Sequence, residues 1–81
     1  MDIFYVYILR SLKNGKFYTG CTKDLEKRIE RHNAGETKGN RPNKPFEIVY
    51  SEEFHDLKTA RTREKHIKSQ KSRKYIESLL I

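Results

Sequence analysis

The run Ile3-Phe-Tyr-Val-Tyr-Ile-Leu9 constrains the fold most. It is β-branched and aromatic throughout and holds no charge, so it reads as a strand buried on both faces. Such a strand needs partners above and below it. A chain of 81 residues supplies one domain at most, and we expect that domain to span residues 1–81.

Asn14-Gly15 is a strong hairpin signal, so Lys16-Phe-Tyr-Thr-Gly-Cys21 reads as the returning strand. Phe46 to Phe54 reads as a third strand. The polar stretch Asn33 to Pro45, with two Gly and two Pro, is the loop before it. Thr22 to His32 reads as a helix, capped by Thr22 or Asp24 and closed by Gly35. Leu25, Ile29 and His32 form its apolar stripe, with Arg28 on the border. A second helix starts at Asp56 or Leu57 and runs to about Ser69. A short third, Ser72 to Leu80, offers Tyr75, Ile76, Leu79 and Leu80 to the core. The order β-β-α-β-α-α fits an α+β fold, a three-stranded, mostly antiparallel sheet flanked by helices.

Charge narrows the function. The chain carries 18 Lys and Arg against 11 Asp and Glu, a formal net charge of +7. Eight of those basic groups but only three acidic ones fall in residues 56–81. A basic excess concentrated in one third of the chain reads either as a solvated helix face or as a phosphate-tracking surface. Nucleic acid is the first candidate partner and a membrane surface the second. No apolar run is long enough to span a membrane, and Met1 to Tyr5 lacks the layout of a secretory signal. The lone Cys21 reads as a small packed hydrophobe, and no Cys/His set has zinc spacing. A cytoplasmic setting is the expectation.

Two places break the structural pattern. The buried stripe of the second helix is Leu57, Ala60, position 64 and Ile67, and position 64 is Glu64. A core-facing carboxylate is costly unless it is paired, protonated or bound to a metal. The alternative is a half-exposed Glu64 paired with Arg61 or Lys68 on the same face. The second place is the hairpin. A two-residue loop at Asn14-Gly15 keeps Tyr7 and Tyr18 apart along the strands. A four-residue loop, Leu12 to Gly15, pairs Tyr7 with Gly20 and Leu9 with Tyr18, making the tyrosines diagonal neighbours. Odd loop lengths put them on opposite faces. Two amphipathic tyrosines at a sheet–helix seam are the simpler reading. Gly20 inside a strand marks a close approach to the backbone. Taken singly, His32 reads as structural and Arg28 as a surface cation.

Together these residues resemble the GIY-YIG nuclease family. Its first motif falls at Tyr5-Val6-Tyr7 and its second at Tyr18-Thr19-Gly20, with Tyr5 and Thr19 departing from the family's Gly and Ile. The family's helix arginine falls on Arg28, a further histidine on His32 and the metal-binding glutamate on Glu64. The likeness is to small stand-alone bacterial members. It implies hydrolysis of phosphodiester bonds, in DNA ahead of RNA, by an endonuclease with one divalent ion, Mg²⁺ or Mn²⁺. Glu64 would hold the ion, Arg28 would grip the phosphate, and Tyr7 or Tyr18 would take a proton from the attacking water. His32 would assist. Gly20, Lys38, Arg41, Lys68, Lys71, Arg73 and Lys74 are the expected nucleic-acid contacts. Structure-selective cleavage in DNA repair or processing, with a partner protein supplying target choice, completes the expectation. The competing reading is a nucleic-acid-binding module with an inactive site.

Overall fold

The apolar run at the N-terminus becomes the middle strand of the sheet. The computed structural model describes residues 2–35 and 42–81. Among these, β1 (Phe4–Ser11) pairs antiparallel with β2 (Phe17–Thr22) on one side and with β3 (Phe46–Phe54) on the other. Three helices complete the expected order: α1 (Leu25–Asn33), α2 (Leu57–Ser69) and α3 (Arg73–Leu79).

Alternation along β1 builds two cores. Val6 and Ile8 pack with Ala60 and Ile67 of α2, joined by Tyr75, Ile76 and Leu79 of α3. Tyr7 and Leu9 point the other way and pack with Phe46, Tyr18, Ile48 and the α1 stripe, Leu25 and Ile29. Burying both faces of one strand removes most of its apolar surface from water, and this is the main source of stability available to so short a chain.

The hairpin closes with the four-residue loop, not the two-residue turn at Asn14-Gly15. Ser11 N–H donates to the Lys16 carbonyl, and Gly15 N–H donates back to the Ser11 carbonyl. Side chains decide between the two. The buried Ser11 hydroxyl accepts from the N–H groups of Lys13 and Asn14, and the Asn14 carboxamide oxygen accepts from Lys16 N–H. Gly15 takes the left-handed conformation that ends the turn, φ +76°. The register therefore sets Tyr7 opposite Gly20 and Leu9 opposite Tyr18.

Each helix starts on a side-chain cap. Asp24, rather than Thr22, accepts from Lys27 N–H; Asp56 accepts from Thr59 N–H; Ser72 accepts from Tyr75 N–H. α1 ends at Gly35, φ +79°, whose N–H donates to the His32 carbonyl. Two positions expected in the core lie outside it. Leu57, in the first turn of α2, is 45% exposed, so burial of that stripe begins one turn in, at Ala60. Leu80 is the C-cap of α3 rather than part of its stripe, and it is 37% exposed.

Candidate active site

Because β2 lies at the sheet's edge, side chains from both faces can meet beside it. They do so in a cleft of about 810 Å³ lined by the consecutive β2 residues Phe17 to Cys21. β1 sends in Tyr7, α1 sends Arg28 and His32, and α2 sends Arg61, Glu64 and Lys68. Lys71, Ser72 and Arg73 close the α3 side, and Lys16 stands at the hairpin end.

Gly20 makes the arrangement possible. The Tyr7 ring lies across the β2 backbone where a side chain would otherwise stand. A Cβ at Gly20 would sit 2.5 Å from Tyr7 Cζ and nearer still to its hydroxyl oxygen. With the ring held there, Arg28 Nε donates to the Tyr7 oxygen at 3.0 Å. This charge-assisted bond fixes the Tyr7 hydroxyl beside the Arg28 guanidinium, inside the cleft. Tyr18 is held differently. Its ring meets Phe46 edge-on, at 5.4 Å between centroids, and its hydroxyl accepts from Asn43 Nδ2.

Glu64 is buried, 8% exposed, and it is also paired. Lys68 Nζ donates to Oε2 at 2.8 Å, and Arg61 lies 3.7 Å from Oε1. Burial and pairing thus hold together, where the stripe alone left them as alternatives. Cys21 sits close enough for Glu64 to act on it. Burial first, and then the Glu64 charge, push its thiol upward, so it stays protonated at neutral pH.

His32 is 5% exposed, and neither ring nitrogen has a hydrogen-bond partner among the described residues. Burial and the neighbouring Arg28 cation hold its pKa below the ordinary histidine value of 6.5, so it is neutral at pH 7. The ring packs edge-on against Phe46, 5.5 Å between centroids.

The structure thus brings Tyr7, Tyr18, Gly20, Arg28, His32, Glu64, Lys68, Lys71 and Arg73 to one cleft. Lys74 is exposed on α3 and does not line it. Lys38 and Arg41 lie outside the described residues. Sequence reasoning missed three groups. Lys16 reaches the cleft through the hairpin. Arg61 reads from its i,i+3 spacing as a partner of Glu64, and only the fold makes it a cleft residue as well. Asn43 gave no sequence signal, because only the return of the loop brings it to Tyr18. Arg73 has a second task. Its Nη1 donates to the Gly15 carbonyl at 2.9 Å, and its guanidinium lies over the Phe17 ring at 4.7 Å, tying α3 to the hairpin.

Among the described residues no three His, Cys, Asp or Glu gather as a metal cage, and no helix is long and apolar enough to cross a membrane. The family model of the GIY-YIG catalytic domain matches residues 3–76. A UPF0213 protein of Staphylococcus saprophyticus is 43% identical over 70 residues, 85% of this chain and 84% of that one. One from Clostridium perfringens is 46% identical over 65 residues, 79% of this chain and 69% of that one. The solution NMR structure of a UPF0213 protein from Bacillus halodurans matches with a TM-score of 0.60 at 37% identity, covering 96% of this chain and 82% of that chain.

Proposed function

This chain belongs to the GIY-YIG family, a nuclease family, and on that premise we propose that it is a metal-dependent endonuclease acting on DNA in the cytoplasm. Residues 1–81 would form one catalytic module. The observation that carries the reading is the Tyr7–Arg28 hydrogen bond, formed over Gly20 in a cleft that also holds Glu64.

The residues fit a single Mg²⁺ or Mn²⁺. Such an ion keeps several waters and needs few protein ligands, so one buried carboxylate facing an open, phosphate-attracting cleft suits it. Glu64 would hold it. When bound, the ion would supply Lewis-acid stabilisation of charge on the scissile phosphate and the leaving oxygen.

This chain's own groups would do the rest. The Arg28 guanidinium has donors beyond the Nε–H spent on Tyr7, and these would grip a non-bridging phosphate oxygen. Tyr7 Oη would take the proton from the attacking water. The Arg28 cation bonded to its oxygen is what favours Tyr7 over Tyr18 for this role. Tyr18 would orient the water or phosphate with its hydroxyl hydrogen, since its oxygen already accepts from Asn43. Neutral His32, with both nitrogens unpartnered among the described residues, would receive or pass on a proton at the cleft floor. Lys16, Lys68, Lys71 and Arg73 would hold flanking phosphates.

The test is cleavage of branched, nicked, single-stranded and duplex DNA with Mg²⁺ or Mn²⁺, with Glu64→Gln alongside. Cleavage by the wild type and none by the variant, with salt-sensitive binding retained in both, supports the reading. A preference among the substrates would point to a structure-selective role in repair or processing. Cleavage that survives Glu64→Gln sinks the site assignment. The ion pairs that already occupy Glu64 favour one second reading, a nucleic-acid-binding module with an inactive site. Binding without cleavage by the wild type would support that instead.

A further inference from the structure

Both oxygens of Glu64 face cations of its own helix. The carboxylate is fixed, with its side chain 10% exposed, whereas the Lys68 side chain is 55% exposed. The same ammonium therefore has two anions within its range: the carboxylate it now holds, and any phosphate entering the cleft it lines. A divalent ion at Glu64 competes with the Lys68 ammonium bonded to Oε2, and two cations at one carboxylate repel.

We propose, resting on the metal-dependent reading above, that Lys68 is a latch on Glu64. In the free protein its ammonium keeps the carboxylate from divalent ions. A nucleic-acid phosphate draws Lys68 away and opens Glu64 to the ion. Lys68 is then a positioning residue that couples substrate binding to metal binding. The coupling is reciprocal, so the ion tightens polyanion binding by the same factor that the polyanion tightens ion binding. The consequence is a nuclease site that charges with metal chiefly when nucleic acid is present.

Lys65 provides the control. It follows Glu64 on the same helix and is exposed, but it makes no ion pair among the described residues. The measurement is a Mn²⁺ titration of the isotope-labelled full chain, followed by paramagnetic broadening of the Cys21 and Ala60 amide signals near Glu64. Lys68→Met should lower the Mn²⁺ midpoint roughly three- to tenfold, the worth of a partly buried pair. Lys65→Met should lower it by less than about twofold, the effect of one screened charge. A hydrolysis-resistant phosphorothioate duplex should lower the wild-type midpoint and move that of Lys68→Met by a smaller factor.

An unchanged midpoint in Lys68→Met, or an equal shift in Lys65→Met, overturns the latch and leaves the metal reading standing, provided broadening disappears in Glu64→Gln. Broadening that persists in Glu64→Gln, or that never localises near Glu64 with or without the duplex, overturns both.

Discussion

Replacing Gly20 by alanine tests the geometry on which the cleft depends. In most strands Gly→Ala is neutral or helpful, because it restricts the unfolded chain by about 0.4–1 kcal/mol. Here the new methyl would stand 2.5 Å from Tyr7 Cζ and 3.0 Å from Cε2. The ring cannot swing into solvent at no cost. It is 3% exposed, packed in the core with Leu9 and Phe46, and bonded to Arg28. Overpacking of this kind costs about 1–3 kcal/mol and outweighs the entropic gain. In a domain of this size each kcal/mol moves Tm by roughly 4–8 °C, so a fall of about 5–15 °C is expected by thermal unfolding. The cause is separable from a general strand effect. In Tyr7→Leu the clashing ring atoms are gone, and adding Gly20→Ala should then cost little, a coupling of about 1 kcal/mol or more in a double-mutant cycle. Gly20→Ala as stable as the wild type, or an equal cost in both backgrounds, would refute the close approach of Tyr7 to β2.

Arg28→Lys keeps the charge but loses the planar Nε donor to Tyr7. Cleavage should fall by roughly 10²-fold while DNA affinity stays within about threefold, read by single-turnover kinetics and anisotropy. His32 has a depressed pKa in the folded state, so the unfolded chain binds the extra proton in mild acid. Its contribution is present above pH 6.5 and fades as pH falls through the lower folded value. His32→Leu should flatten that part of the urea-derived stability profile, and an unchanged slope would contradict the neutral, buried ring. Asn33→Ala removes two hydrogen bonds to the Phe46 backbone, at 2.6 and 3.2 Å, and should cost about 1–3 kcal/mol by the same measurement. Arg63 grips Glu52 with Nε and Nη2 at 2.9 and 3.0 Å, holding that carboxyl below its usual range. The pair's stabilisation is therefore present above about pH 4.5 and lost as pH falls further. Arg63→Met should cost about 1–2 kcal/mol at pH 7, discounted because both side chains are about a quarter exposed, and should weaken the acid sensitivity.

Local chemistry determined the elements. The apolar run of β1, the caps Asp56 and Ser72, and Gly35 after α1 each act within a few residues, so their effects are legible in the order of the chain. The same holds for the misfit of Glu64 on an apolar stripe and for its partners Arg61 and Lys68, three and four residues away on the same helix. Parity also carried far: an even hairpin loop was the condition for Tyr7 and Tyr18 to share a face, and alternation along a strand makes that a local rule. The choice between two even loops went beyond it: the Ser11 hydroxyl accepts locally from Lys13 and Asn14 N–H, but it donates to the Asn43 carbonyl, a partner that only the tertiary fold brings to the hairpin. Tertiary structure alone decided that β2 is an edge strand, and the site follows from that. A sheet separates its two faces, so Arg28 on α1 and Glu64 on α2 belong to opposite cores. They line one cleft because the sheet ends at β2, and because Gly20, lacking a side chain, lets Tyr7 reach across that edge.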